Sequence, residues 1–136
     1  MYDALQMWDQ AGERPYELLK EHNLLDILIN SIFEESFSLE EPIYRGTRRH
    51  SQLEIGDILK YDYPTSWSIE KSIAEKFNDE ELTPVIIELS SNNSIHALYN
   101  HLNSYQEFEV IVNPISLIVN DKYMENNTTI LKVSPK

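Results

Sequence analysis

Three short stretches carry residues whose types and spacing could do chemistry. In "YQEFEVIV", Tyr105 to Val112, Glu107 and Glu109 stand one residue apart at the entrance to an apolar run. Extended backbone sends alternate side chains to opposite faces, so both carboxylates would share one face while Phe108, Val110 and Val112 take the other. Like charges side by side repel, a cost that makes sense if the pair acts on something; a solvated strand end that tolerates two acids is the alternative. In "PIYRGTRR", Arg45 ends a short apolar run and Gly46 lets the backbone approach a ligand closely. The planar guanidinium suits phosphate oxygens and stays charged at any relevant pH, although a surface or ion-paired arginine fits the same residues. In "TSWSIEKSIAEKF", Ser66 and Ser68 lie one residue apart where a strand meets a helix, among free N–H groups suited to an anion. Helix capping is the alternative for Ser68, and the two roles are compatible.

The elements that must position these residues divide the chain in two, a helical part over 1–40 and a β-rich part over 41–136. Apolar residues at Leu18, Leu25, Leu28, Ile29 and Ile32 predict one helix from Pro15 to about Ser36, with proline suited to its first turn. A shorter helix is expected around Asp3 to Gln10. From Pro42 the texture changes to short apolar runs between turn formers: "IYRG", "IGDILKY", "PVIIELS", "FEVIV", "SLIV" and "TTILKV" read as strands. The run "SIEKSIAEKF" interrupts them with helical spacing, Ile69, Ile73, Ala74 and Phe77 on one face. "ENNTT" predicts a turn joining the last two strands, because Asn tolerates left-handed backbone. The order implies a single α+β domain: N-terminal helices, then a mainly antiparallel β core with an inserted helix.

Composition bounds the function. With 136 residues, 41% hydrophobic and 25% charged, the chain can bury a real core, and with no cysteine it has neither disulfides nor thiolate chemistry. A formal net charge of −12 disfavours direct nucleic-acid binding and favours a basic partner. No basic, apolar leader and no run long enough to span a bilayer is evident, so a soluble, cytoplasmic protein is expected. His22, His50, His96 and His101 show no spacing that converges on a metal.

Taken in order, Arg, then Ser-x-Ser with an Ala-x-x-Phe helix, then Glu-x-Glu, the stretches resemble the mono-ADP-ribosyltransferases. The likeness is to the arginine-modifying branch that includes bacterial toxins and bacteriophage enzymes, the phage Mod-type transferases in particular. It covers Pro42 to Val119 and includes the lead-in "IGDILKYDYPTSWS". Trp67 departs from it, occupying the middle of the serine motif where that family often has Thr, and "VNP" follows the glutamate strand where a shorter step to Pro is common.

The resemblance implies a two-sheet NAD-binding core and NAD as ADP-ribose donor, with no metal. It implies that Glu109 stabilises positive charge developing on the ribose and that Glu107 orients an arginine acceptor and helps remove its proton. By the same transfer Arg45 binds the diphosphate, Gly46 permits its approach, and Ser66 supports Glu109 with Ser68 behind it. Tyr105 would contribute to acceptor recognition, with simple packing as the alternative. The implied partner is a basic protein presenting an arginine, in the host cytoplasm if the enzyme is phage-encoded. Two other readings stand beside it: NAD glycohydrolysis by the same residues, and a non-catalytic acidic protein that mimics nucleic acid. Arg48 and Arg49 read as a solvated basic patch.

Overall fold

The computed structural model describes residues 4, 7, 8, 15–35, 41–47, 49–72, 84–90, 95–100 and 109–136. Where one helix is predicted after Pro15 there are two, α1 (Pro15–Glu21) and α2 (Leu25–Glu35). Asn23 causes the break. It takes up left-handed backbone with φ 60, and the Leu24 N–H turns back to the Leu19 carbonyl at 2.8 Å. Asn enters that conformation more readily than other side-chain-bearing residues, and it ends helices there. Ala4, Met7 and Trp8 are helical too, in keeping with the short helix expected around them.

Eight strands follow among the described residues: β1 (Ile43–Thr47), β2 (Ile58–Tyr61), β3 (Thr65–Ser68), β4 (Val85–Leu89), β5 (Ala97–Tyr99), β6 (Glu109–Val112), β7 (Ile115–Glu125) and β8 (Thr128–Pro135). They pair in the order β2-β7-β8-β4-β1-β3-β6-β5, antiparallel throughout except β4 with β8. The α+β, mainly antiparallel class is the one expected. Asn126 and Asn127, with φ 50 and 65, form the two-residue turn that pairs Glu125 with Thr128. Positive φ at both positions matches the right-handed twist of a tight hairpin. Of the predicted inserted helix, Ser68 to Ser72 lie within the described residues: Ser68 still belongs to the serine strand, Ile69 and Glu70 are not helical, and Lys71 and Ser72 are helical.

The expected two-layer core is realised by one hydrogen-bonded ladder folded onto itself. Strands β2 and β3 stand five places apart in it, so a flat sheet would separate them by about 24 Å. Yet the rings of Tyr61 on β2 and Trp67 on β3 meet edge to face, centroids 6.5 Å apart. The fold falls at the seam between β1 and β3, joined through the single register pair Tyr44 and Ser68. Between the layers lies the main core, including Ile43, Leu59, Trp67, Ile87, Leu117 and Val133. A second cluster packs the helices on the outer face of β6: Trp8, Leu19, Leu28 and Ile32 close over Ile111. Neither layer could bury both of its faces alone, and the helices supply the missing cover.

Candidate active site

Strand β6 sorts its side chains by alternation. Val110 and Val112 enter the main core, whereas Ile111 joins the helical cluster on the opposite face and Glu109 shares that face with it. Register then brings the serine strand alongside, Ser68 opposite Glu109 and Ser66 opposite Ile111. Directly opposed residues in an antiparallel pair project to the same side, so both serines face the way Glu109 faces. Trp67 points the other way, and at 2% exposure it is a core residue whose indole N–H donates to Thr65 Oγ1 at 2.7 Å.

Glu109 is 7% exposed. A carboxylate at that depth is stable only when hydrogen bonds replace its hydration. Oε2 accepts from Ser66 Oγ and from Trp8 Nε1, the latter at 3.1 Å, and Oε1 accepts from Asn100 Nδ2 at 2.6 Å. Ser66 reaches Glu109 diagonally across the ladder, and Ser68 makes a local bond. Its Oγ accepts from the Glu70 N–H at 3.0 Å, a serine turn just ahead of the first helical residue, Lys71, so the expected N-cap lies before the helix start.

Arg45 approaches Ser66 from the seam. Its Nη1 donates to the Ser66 carbonyl at 2.8 Å, and its guanidinium lies 5.4 Å from the centre of the Tyr61 ring. Because β1 and β3 pair at Tyr44 and Ser68 alone, Ser66 keeps a carbonyl for the arginine side chain. The other guanidinium edge is different: Nε is buried without a partner among the described residues. A buried charged donor in that state costs free energy until an acceptor reaches it, and a phosphate oxygen is the acceptor whose geometry suits it best. Burial of Tyr61 raises its phenol above the ordinary range, against the lowering effect of the arginine charge. His50 sits at the same end, its ring 6.3 Å from that of Tyr61. Burial, then the Arg45 and Arg49 charges, lower its imidazole below the ordinary histidine value.

Arg45, Ser66 and Glu109, remote in sequence, are thus joined through one serine, whose carbonyl holds the arginine and whose hydroxyl holds the carboxylate. Gly46 lies beside Arg45 in β1, opposite Ile86. Glu107, Tyr105, Arg48 and His101 lie outside the described residues. Arg49 is exposed, His22 is exposed on the helical side, and His96 stacks on Phe33 with centroids 4.7 Å apart. Sequence reasoning missed Trp8 and Asn100. The spacing of Ala4 and Trp8 on one helical face signals burial of the indole, but nothing local signals its carboxylate partner 101 positions away.

The folded-over, mainly antiparallel sheet with helices on one outer face matches the fold of solved ADP-ribosyltransferases. Solved structures of that kind superpose on nearly the whole chain. Vis, an ADP-ribosyltransferase from Vibrio splendidus in complex with agmatine, is 20% identical with a TM-score of 0.62, covering 99% of this chain and 68% of its own. The C3 exoenzyme of Clostridium limosum is 15% identical with a TM-score of 0.67, covering 98% and 83%. C3stau2 from S. aureus with NAD is 12% identical with a TM-score of 0.73, covering 98% and 86%. At such identities the likeness is one of fold. No protein-family profile matches the sequence, and no curated protein matches it.

Proposed function

We propose that this chain is a mono-ADP-ribosyltransferase that moves ADP-ribose from NAD to an arginine side chain of a protein, releasing nicotinamide. The observation that carries the reading is the Ser66 bridge between a half-buried arginine and a buried carboxylate. NAD supplies a glycosidic bond between nicotinamide and ribose that breaks with positive charge growing on the sugar. Glu109 faces that charge and stabilises it, as carboxylates do in glycosidases. Arg45 holds the diphosphate through its Nε, which has no partner among the described residues, and Gly46 admits it. Ser66 fixes both groups relative to each other, and Ser68 secures the end of the serine strand. Glu107, with Tyr105 near it, receives the acceptor: the acceptor nitrogen bonds to the sugar carbon, nicotinamide leaves with the electrons of the broken bond, and Glu107 takes the proton.

Vis binds agmatine, a small molecule that ends in a guanidinium, and C3stau2 was solved with NAD. Both ligands match the donor and acceptor of this reading. A phage enzyme acting on a basic host protein fits the net charge of −12, which draws a cationic partner. Acidic mimicry of nucleic acid fits less well, since a mimic displays its acids and Glu109 is 7% exposed.

Incubation of the purified chain with labelled NAD and a host lysate tests the reading. Labelled protein bands are expected, and Glu109→Ala should abolish them, a loss of roughly 3 kcal/mol or more in transition-state stabilisation. Bands of equal strength in the variant would end the assignment. NAD glycohydrolysis, with water as acceptor, uses the same donor side. Glu107→Gln separates the two, because it should suppress protein labelling while NAD cleavage continues.

A further inference from the structure

Among the described residues three donors surround the Glu109 carboxylate, and the motif of arginine, serines and glutamates accounts for one of them, Ser66. The second is Trp8, from the N-terminal helical stretch, whose Nε1 donates to Oε2 at 3.1 Å. The third is Asn100, just past β5, whose Nδ2 donates to Oε1 at 2.6 Å. Both are well anchored. Trp8 is 4% exposed, seated among Ala4, Leu19, Leu28 and Ile32 over β6. Asn100 is 6% exposed, and its backbone N–H donates to the Glu109 carbonyl at 3.0 Å, extending the β5–β6 ladder by one bond.

A carboxylate has about four acceptor positions. Oε2 already receives two bonds, from Ser66 and Trp8, and Oε1 receives one, from Asn100. Among the described residues, the position left is on Oε1. An indole N–H can only donate, so the Trp8 contact serves the ionised carboxylate and offers nothing to the protonated acid's own hydrogen. Neither donor rotates easily, since the indole is wedged in an apolar cluster and the amide is fixed through its own backbone.

We propose that Trp8 and Asn100 are positioning residues for Glu109, which together turn its carboxylate so that Oε1 is the oxygen offered to the donor ribose. The inference rests on the transferase reading above and deepens it, making the N-terminal helical stretch part of the active site. On this reading Trp8 and Asn100 act through the carboxylate they touch. Losing one donor should therefore lower turnover without weakening NAD binding.

The test uses two readouts, one independent of activity. The chain has two tryptophans, so a ¹⁵N–¹H spectrum shows two indole N–H signals, and Trp8→Phe identifies the one it removes. In Glu109→Gln the Trp8 signal should move upfield while the Trp67 signal stays; an unmoved Trp8 signal would overturn the contact. In NAD turnover, Trp8→Phe and Asn100→Ala should each lower kcat by about tenfold with KM for NAD within about twofold. Leu131→Val, a packing change in the main core outside the cluster that seats Trp8, should leave kcat unchanged in the folded protein, and an equal fall there would assign the losses to packing and overturn the positioning role. Active wild type with unaltered kcat in both variants would sink the positioning role while leaving the transferase reading intact. Wild type that consumes no NAD would remove the transferase reading, and the positioning role with it.

Discussion

Ser66 Oγ donates to Glu109 Oε2 across 43 positions of sequence, a bond made possible because β3 and β6 lie side by side in antiparallel register. Hydrogen bonds to charged groups contribute about 1.5–3 kcal/mol, and here the bond also sets which way the carboxylate points. Ser66→Ala should therefore lower NAD turnover by about 10- to 100-fold. Ser68→Ala, which removes the acceptor of the Glu70 N–H, should cost about 1 kcal/mol of stability and less turnover than Ser66→Ala. Steady-state kinetics on both variants, with unfolding curves alongside, check the contrast. Equal losses of turnover would mean that the bond does not orient the catalyst.

On the proposed reading Arg45 is divided between a structural and a binding task. Nη1 serves the Ser66 carbonyl at 2.8 Å while Nε is buried and unpartnered among the described residues. A lysine keeps the charge and loses the fork, so it cannot serve both edges at once. Arg45→Lys should raise KM for NAD by about tenfold with a smaller effect on kcat. Initial-rate measurements over a range of NAD concentrations decide it, and an unchanged KM would place the diphosphate elsewhere.

His50 ties stability to pH at the same end of the sheet. Its folded-state value lies below the ordinary one, through burial first and then the Arg45 and Arg49 charges. Between the folded value and about 6.5 the unfolded chain binds a proton that the native chain does not. The contribution is thus fully present above about 6.5 and is lost as pH falls through the folded value. His50→Asn removes the titration and keeps a side chain that tolerates the φ of 74 at this position. Urea unfolding at pH 7 and pH 5 should show a smaller fall in stability for the variant than for the wild type. A matching fall in both would assign the acid sensitivity to other groups.

How far the sequence carries the fold depends on whether a signal is local. The Asn126–Asn127 hairpin is legible because both residues favour the backbone that the turn needs, and strands such as Val85–Leu89 are legible from their apolar runs. β5 is not: Ala97–Tyr99 sits in a tract rich in Ser, Asn and His, and it becomes a strand because β6 offers it an edge. The break at Asn23 was overrun by apolar spacing that stays in phase on both sides. At the site, residue type and order single out Arg45, Ser66 and Glu109, whose chemistry is unusual for their positions. Trp8 and Asn100 look like an ordinary core aromatic and a loop amide until the tertiary fold sets them beside a carboxylate.

The hairpin turn gives a prediction independent of function. Asn127 holds φ 65, a conformation that glycine enters without steric cost, and Asn-Gly is the favoured pair for such turns. Asn127→Gly should raise stability by roughly 0.5 kcal/mol, seen as a higher urea midpoint at unchanged slope. A lower midpoint would show that the Asn127 side chain contributes more than its backbone costs.

Trp67 supplies the last test, because it stands between the two serines where the resembling family often has Thr. Alternation sends it away from Glu109 into the main core, where it meets the edge of Tyr61 and donates to Thr65. Its size is therefore a matter of filling the space between the folded-over layers, and the serines on either side keep their direction whatever residue stands there. Truncation of a buried Trp costs about 3–5 kcal/mol, a large part of the 5–15 kcal/mol typical of a whole domain. Trp67→Thr should accordingly lower the urea midpoint sharply, while the fraction still folded at low temperature keeps its KM for NAD. A raised KM in that folded fraction would put the indole in contact with the donor and contradict the alternation of β3 on which the site is built.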